Sequence, residues 1–280
     1  MTRTWFITGV SSGFGLEMAS QILARGDRVI GTVRKPDAVE HLKAQYGERF
    51  STSLLDLTDL PRIRPVVDRA FHDLGRIDVV VNNAGYGLFG ALEGLTSEQV
   101  RHQISTNLVG PIHVVKAALP HLRAQGGGRL LAMSTYGGQA ALPGASLYHA
   151  SKWGLEGFFD SIAAEAAPFD IGVTILEPGG ARTGFRRVAS EEMAADVEAY
   201  RHTAIGGLRA RLQDASQPPL GDTAKMVEIM IASVDQTPAP RRIALGSDAY
   251  AMIERALQER LAALQAQKDV ALSTDLRVGE

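Results

Sequence analysis

The 280-residue chain contains no cysteine. That excludes disulfides, thiolate nucleophiles and cysteine metal sites, and it is compatible with a reducing compartment. Charge of one sign is also missing, because 29 basic and 31 acidic residues leave a net charge of -2. No polyelectrolyte partner is implied, and nucleic acid is not expected. The seven histidines, His41, His72, His102, His113, His121, His149 and His202, form no HExxH pattern, so no metal site is expected. No apolar run approaches the ~18 residues of a membrane span, so no membrane partner is expected either. Thr4 already begins a strand-like run; the expectation is no signal peptide and a cytoplasmic address.

What the chain does contain is an alternation of short apolar runs with longer helical patterns. The runs are Trp5 to Thr8, Val29 to Val33, Ser53 to Leu55, Ile77 to Val81, Leu130 to Met133, Val173 to Leu176 and Ile243 to Leu245. Their near-continuous apolarity predicts strands buried on both faces. The expected fold class is therefore α/β, a doubly wound, mainly parallel sheet with helices on both faces, whose ligands bind beyond the carboxyl ends of the strands. A single domain is expected over residues 1–280. Within it, 183–220 reads as a helical substrate lid and 249–280 as a C-terminal helix and tail.

Tyr148 and Lys152 lie four residues apart in a helical pattern, which puts both side chains on one face. That face continues as the apolar stripe Leu155, Phe159 and Ile162. An ammonium and a helix N-terminus beside a phenol lower its pKa toward the range of acid-base work. An exposed surface pair is the alternative.

The first apolar run leads into Thr8-Gly9-Val10-Ser11-Ser12-Gly13-Phe14-Gly15 and then a helix. Glycines permit the tight turn and close approach to a pyrophosphate, and the helix N-terminus supplies free N–H groups. The T-G-x-x-x-G-x-G spacing in this setting resembles the short-chain dehydrogenase/reductase family. Asn82-Asn83-Ala84-Gly85, Tyr148-x-x-x-Lys152 and Pro178-Gly179-Gly180-Ala181-Arg182-Thr183 are similar to further family motifs, in family order.

The resemblance implies a nicotinamide cofactor held by Gly9, Ser11, Ser12, Gly13, Phe14, Gly15, Asn83, Ala84, Gly85, Tyr148, Lys152, Pro178, Gly179 and Thr183. Asp56 and Leu57 would meet the adenine, unless Asp56 merely caps the following helix. Nineteen residues past Gly15 stands Arg34 rather than an acid. Its charge and forked donors suit a 2′-phosphate, so NADP(H) is favoured, while Asp37 leaves NAD(H) possible. Pro111 lacks an N–H for the carbonyl of Asn107. In the family, the matching asparagine interrupts its helix and holds a water linked to the lysine. The family's serine falls thirteen residues before Tyr148, on Thr135. A threonine hydroxyl makes the same bond, and Ser134 is the alternative.

The implied activity is reversible reduction of a largely apolar ketone or aldehyde to an alcohol, with Asn107, Thr135, Tyr148 and Lys152 as the catalytic set. Leu88, Phe89, Tyr136, Leu142, Phe185 and Met193 are expected pocket walls. Arg182, Arg186 and Arg187 either attract an acidic substrate or are solvated. A catalytically silent NADP-binding sensor and a sugar-nucleotide epimerase or dehydratase are the alternatives. A homodimer or homotetramer is expected, formed through the helices near 98–124 and 146–168.

Overall fold

The computed structural model describes residues 2–276; Met1 and residues 277–280, the end of the expected tail, lie outside the described residues. Seven strands, β1 (Thr4–Ile7), β2 (Arg28–Val33), β3 (Phe50–Leu54), β4 (Val79–Asn82), β5 (Gly128–Met133), β6 (Ile171–Pro178) and β7 (Arg242–Leu245), form one sheet. Its order is β3-β2-β1-β4-β5-β6-β7, and every adjacent pair is parallel. The doubly wound expectation holds.

Both faces of the sheet are apolar, and the side chains divide by alternation. Phe6, Ile30 and Val80 point to one face, which α3 (Leu60–Leu74), α5 (Gly110–Ala124) and α6 (Ser146–Ala166) cover with Ile63, Val114 and Phe159. Trp5, Ile7, Val79 and Val81 point to the other, covered by α1 (Gly13–Ala24), α2 (Glu40–Tyr46) and α9 (Thr223–Ala232) through Met18, Ile22, Leu42 and Met230. A period of two inside a continuous apolar run is what burial on both faces requires. The winding reverses between β1 and β4, and a crevice opens there beyond the strand ends.

One expectation is corrected. β3 begins three residues earlier than the apolar run suggested, because it is an edge strand and its half-exposed Ser51, Thr52 and Ser53 pair with β2 all the same. The stretch from Ile104 to Leu122 is interrupted around Asn107. It divides into α4 (Ser97–Ile104) and α5 around a wide turn at Ser105–Val109, where Gly110 N–H reaches back five residues to the Ser105 carbonyl. Toward the C-terminus, α10 (Ser247–Gln265) is followed by the short helix α11 (Lys268–Leu272) inside the expected tail. None of the described helices is long and apolar enough to cross a membrane.

Candidate active site

A cleft of about 850 Å³ runs over the carboxyl ends of the strands. At its β1 end the two glycine motifs are bonded to each other. Buried Thr8 Oγ1 accepts from the N–H groups of Asn83 (3.0 Å) and Ala84 (3.1 Å), and Asn83 Nδ2 donates to the carbonyls of Thr8 (3.0 Å) and Gly9 (2.9 Å). Gly9 has φ +72°, and a Cβ on it would lie 2.9 Å from Ala84 Cβ. A Cβ on Gly15 would collide with the Gly9 carbonyl. Main chain therefore lies against main chain here, and only glycine permits it. Ser11 and Ser12 are exposed on the cleft, and no side chain caps the first turn of α1, so its N–H groups face the opening with Gly13 and Phe14.

Along the next edge, Arg34 lines the cleft with Asp56 and Leu57, whereas Lys35 and Asp37 do not. Partial burial works against the Asp56 carboxylate, but hydrogen bonds from Thr58 and the nearby Arg34 charge outweigh it and hold its pKa below the usual value. Asp56 accepts from Thr58 N (2.8 Å) and Oγ1 (2.7 Å) and closes a local turn rather than capping α3, whose N-cap position is Asp59.

At the β5 and β6 end the site is made of buried side chains. Tyr148 and Lys152 share one face of α6, with exposures of 9 % and 4 %. Lys152 Nζ donates to the Met133 carbonyl at 2.7 Å. Burial pushes the Lys152 pKa down to about 8, against an opposing effect of Glu156. The expected lowering of the phenol is corrected: burial raises the Tyr148 pKa, Tyr136 adds to this, and the Thr135 hydroxyl beside it works the other way. Desolvation of the phenolate outweighs its neighbours because the phenol sits almost out of water.

Thr135 Oγ1 donates to the Pro178 carbonyl (3.2 Å) and accepts from Gly137 N–H (3.4 Å). Ser134 points elsewhere, its Oγ 2.5 Å from Glu156 Oε1. The Asn107 amide is fully buried and holds the loop before it, accepting from Tyr86 N–H (3.1 Å) and donating to Tyr86 O (2.8 Å) and Ser151 Oγ (3.1 Å). A Cβ on Gly85 would lie 3.1 Å from Asn107 Oδ1 and 3.6 Å from Lys152 Nζ, so both groups flank that glycine.

Pro178, Gly179 and Thr183 continue the wall after β6. Asp248, at the start of α10, accepts from Gly180 N–H at 2.7 Å and clamps this loop. Beyond it α7 (Phe185–Glu191) and α8 (Leu208–Gln213) pack together over the cleft, contributing Phe185, Val188, Leu208 and Leu212. Phe89 and Phe185 stand 5.5 Å and 5.8 Å from the Tyr148 ring. Leu88, Tyr136 and Leu142 also line the cleft, but Met193 does not; its neighbour Glu192 does. Arg186 reaches Gln217 O and Arg187 pairs with Glu191. Sequence reasoning missed Asp248 and His149. The Nδ1 of His149 accepts from Leu142 N–H at 3.2 Å inside the cleft wall. Asp248 carried a readable signal as an acid in a first helical turn. His149 carried none.

The arrangement juxtaposes a protonated phenol, a hydroxyl and an ammonium at the floor of a cleft whose other end is an open helix N-terminus with a glycine floor. A model of short chain dehydrogenases matches residues 3–194. "Oxidoreductase BOA17" of Botryotinia fuckeliana is 35% identical over 275 residues, 98% of this chain and 100% of that one. The "3-ketodihydrosphingosine reductase" of Bacteroides thetaiotaomicron is 38% identical over 179 residues, 64% of each chain. The crystal structure of a short-chain dehydrogenase from Streptomyces avermitilis superposes with a TM-score of 0.90 at 36% identity, over 99% of this chain and all of that one. The glycine turn, the Tyr148/Lys152 floor and these matches together make the chain a member of the short-chain dehydrogenase/reductase family of oxidoreductases.

Proposed function

We propose that this protein is an NADPH-preferring carbonyl reductase acting on a largely apolar ketone or aldehyde. The observation that carries the reading is the Tyr148 phenol, protonated and set among Phe89, Phe185 and the Thr135 hydroxyl. A dinucleotide fits the residues present: the cradle at Gly9 and Gly15 is one a Cβ would fill, the N-terminus of α1 is open to phosphate, and Arg34 offers forked donors for a 2′-phosphate. Lys152, Asn83, Ala84, Gly85, Pro178, Gly179 and Thr183 would complete its surround. The cofactor supplies a hydride equivalent at its nicotinamide ring.

In this reading the chain supplies the proton and the orientation. Thr135 Oγ–H turns from the Pro178 carbonyl to the substrate oxygen, and Tyr148 Oη gives that oxygen its proton. Lys152 stabilises the resulting phenolate, and the proton is replaced along the path flanked by Lys152 and Asn107. The segment 183–220 acts as the lid, with Phe185 and Val188 excluding water from the apolar part of the substrate. The 3-keto reductase name of the Bacteroides relative is in line with a ketone substrate. Action in the cytoplasm, on the cysteine-free composition, and assembly into a homodimer or homotetramer belong to the same reading.

The test is NADPH and NADH oxidation against a panel of ketones and aldehydes, with Tyr148→Phe as the comparison. A rate at least about 1000-fold lower in the variant, with dinucleotide binding kept, is expected. Equal rates in both proteins would overturn the assignment.

A further inference from the structure

Directly behind the site lies a second polar cluster, which the proposed reaction does not use. Glu156, one turn beyond Lys152 on α6, and Glu177, the residue before Pro178, are 3 % and 2 % exposed. Gln139 Nε2 donates to both, at 2.8 Å to Glu156 Oε2 and 3.1 Å to Glu177 Oε1. Arg242 Nε lies between the same two oxygens, 3.5 Å and 3.2 Å away. The two carboxyl groups therefore face each other across shared partners. The other Glu156 oxygen meets Ser134 Oγ, and it fills the space a Cβ on Gly138 would need.

Among the described residues, Arg242 is the cation paired with these carboxyl groups, and the Lys152 charge acts on Glu156 from one turn away. Arg242 is also bonded to Asp160, which in turn faces Arg241. Lys152 donates its hydrogen bond to Met133 O. Arg260 of α10 reaches only the far side of Gln139, at Oε1 (3.2 Å). Because Arg260 can only donate, that contact fixes the amide so that its NH₂ faces the acids. A neutral acid beside an ionised one satisfies such a pocket, whereas two adjacent buried charges do not.

We propose that Glu156 and Glu177 hold one proton between them on the acid side of neutrality and act as positioning residues, tying the Ser134–Thr135 segment, the Lys152 turn and the Pro178 loop together. Each segment is attached at one remove from the chemistry. Ser134 precedes Thr135, Glu156 follows Lys152 by one turn, and Glu177 precedes the Pro178 whose carbonyl accepts from Thr135. Burial, then the Glu156 charge, raises the Glu177 pKa to about 7, with Gln139 and Arg242 opposing. Above that pH the pair gains a second charge, the carboxyl groups repel, and the three segments loosen. Glu177→Gln keeps a donor facing Glu156 and removes the titration.

Two measurements test this on the full chain. Infrared spectroscopy across pH ~5.5 to ~9 reads the C=O stretch of a neutral carboxyl group and needs no turnover. A band that persists at pH ~6.5, fades through about 7 and is missing from Glu177→Gln is expected. No neutral-carboxyl band in the wild type at pH ~6.5, or the same band in the variant, overturns the proposal. The second measurement rests on the proposed carbonyl reduction. Wild-type kcat should fall about 10-fold from its acid plateau by one pH unit above 7. Glu177→Gln, normalised to its own plateau, should begin to fall only near 8, where Lys152 titrates. Identical profiles would sink the positioning role, because a purely structural pair would scale the rate without moving the profile. Absence of all turnover would remove the reductase reading, while the infrared band would still decide whether the pair shares a proton.

Discussion

The two ends of the cleft are made of different material. Over β1 and β4 the walls are main chain: Gly9, Gly15 and Ala84 lie against one another, and exposed Ser11 and Ser12 open to water. Over β5 and β6 the walls are side chains held almost out of water: Asn107, Thr135, Tyr148 and Lys152 in front, with Glu156 and Glu177 behind. The first end works by shape, since backbone N–H groups carry the same donors whatever the side chain. The second works by electrostatics, since its groups have shifted proton affinities because solvent has been removed. Damage at the first end is therefore steric, and damage at the second shows in rates and pH.

Substitutions can break this contrast at either end. Of three substitutions beyond Tyr148→Phe, the largest effect is expected from Gly15→Ala, whose methyl collides with the Gly9 carbonyl. Dinucleotide affinity by titration calorimetry should fall at least about 300-fold, and near wild-type binding would show that the turn yields. At the other end Thr135→Val removes a donor while keeping the shape. It should cost about 100-fold in kcat with little change in cofactor affinity, and Thr135→Ser should restore most of the rate. The smallest effect is expected from Arg34→Ala, which removes a positive side chain from the main-chain end. The NADPH to NADH ratio of kcat/KM should drop by about 10-fold, the loss of a charge-assisted contact. An unchanged ratio would remove Arg34 from cofactor choice.

The same contrast governs what was legible in the sequence. Glycine is written directly in the chain, so the β1 turn was readable from its spacing, and the Asn82-Asn83-Ala84-Gly85 motif from its likeness to the family; the bonds from Asn83 to Thr8 and Gly9 were not. The Tyr148/Lys152 face was readable because a helical period of four is local. The two-faced burial of β1 and β4 followed from their uninterrupted apolar residues, Trp5 to Ile7 and Val79 to Val81. Other features depended on packing between distant segments. The edge position of β3 hides its polar residues from an apolarity pattern. The bonding of the Ser134 hydroxyl to Glu156 required a carboxylate twenty-two residues away on another element. The sign of the Tyr148 shift depended on how little water reaches it, a quantity no local pattern carries.

β1 bonds to β2 on one side and to β4 on the other, so the earliest strand of the chain ends up near the middle of the sheet. During synthesis at roughly 5–20 residues per second, Val79–Val81 leave the ribosome several seconds after Trp5–Ile7. For that interval β1 can pair only with β2, and its other edge stays open, an apolar template for any strand nearby. The crevice beyond the strand ends is the seam where this delayed pairing closes. A nascent chain paused before residue 79 should therefore recruit chaperones through β1, and should release them once β4 has docked.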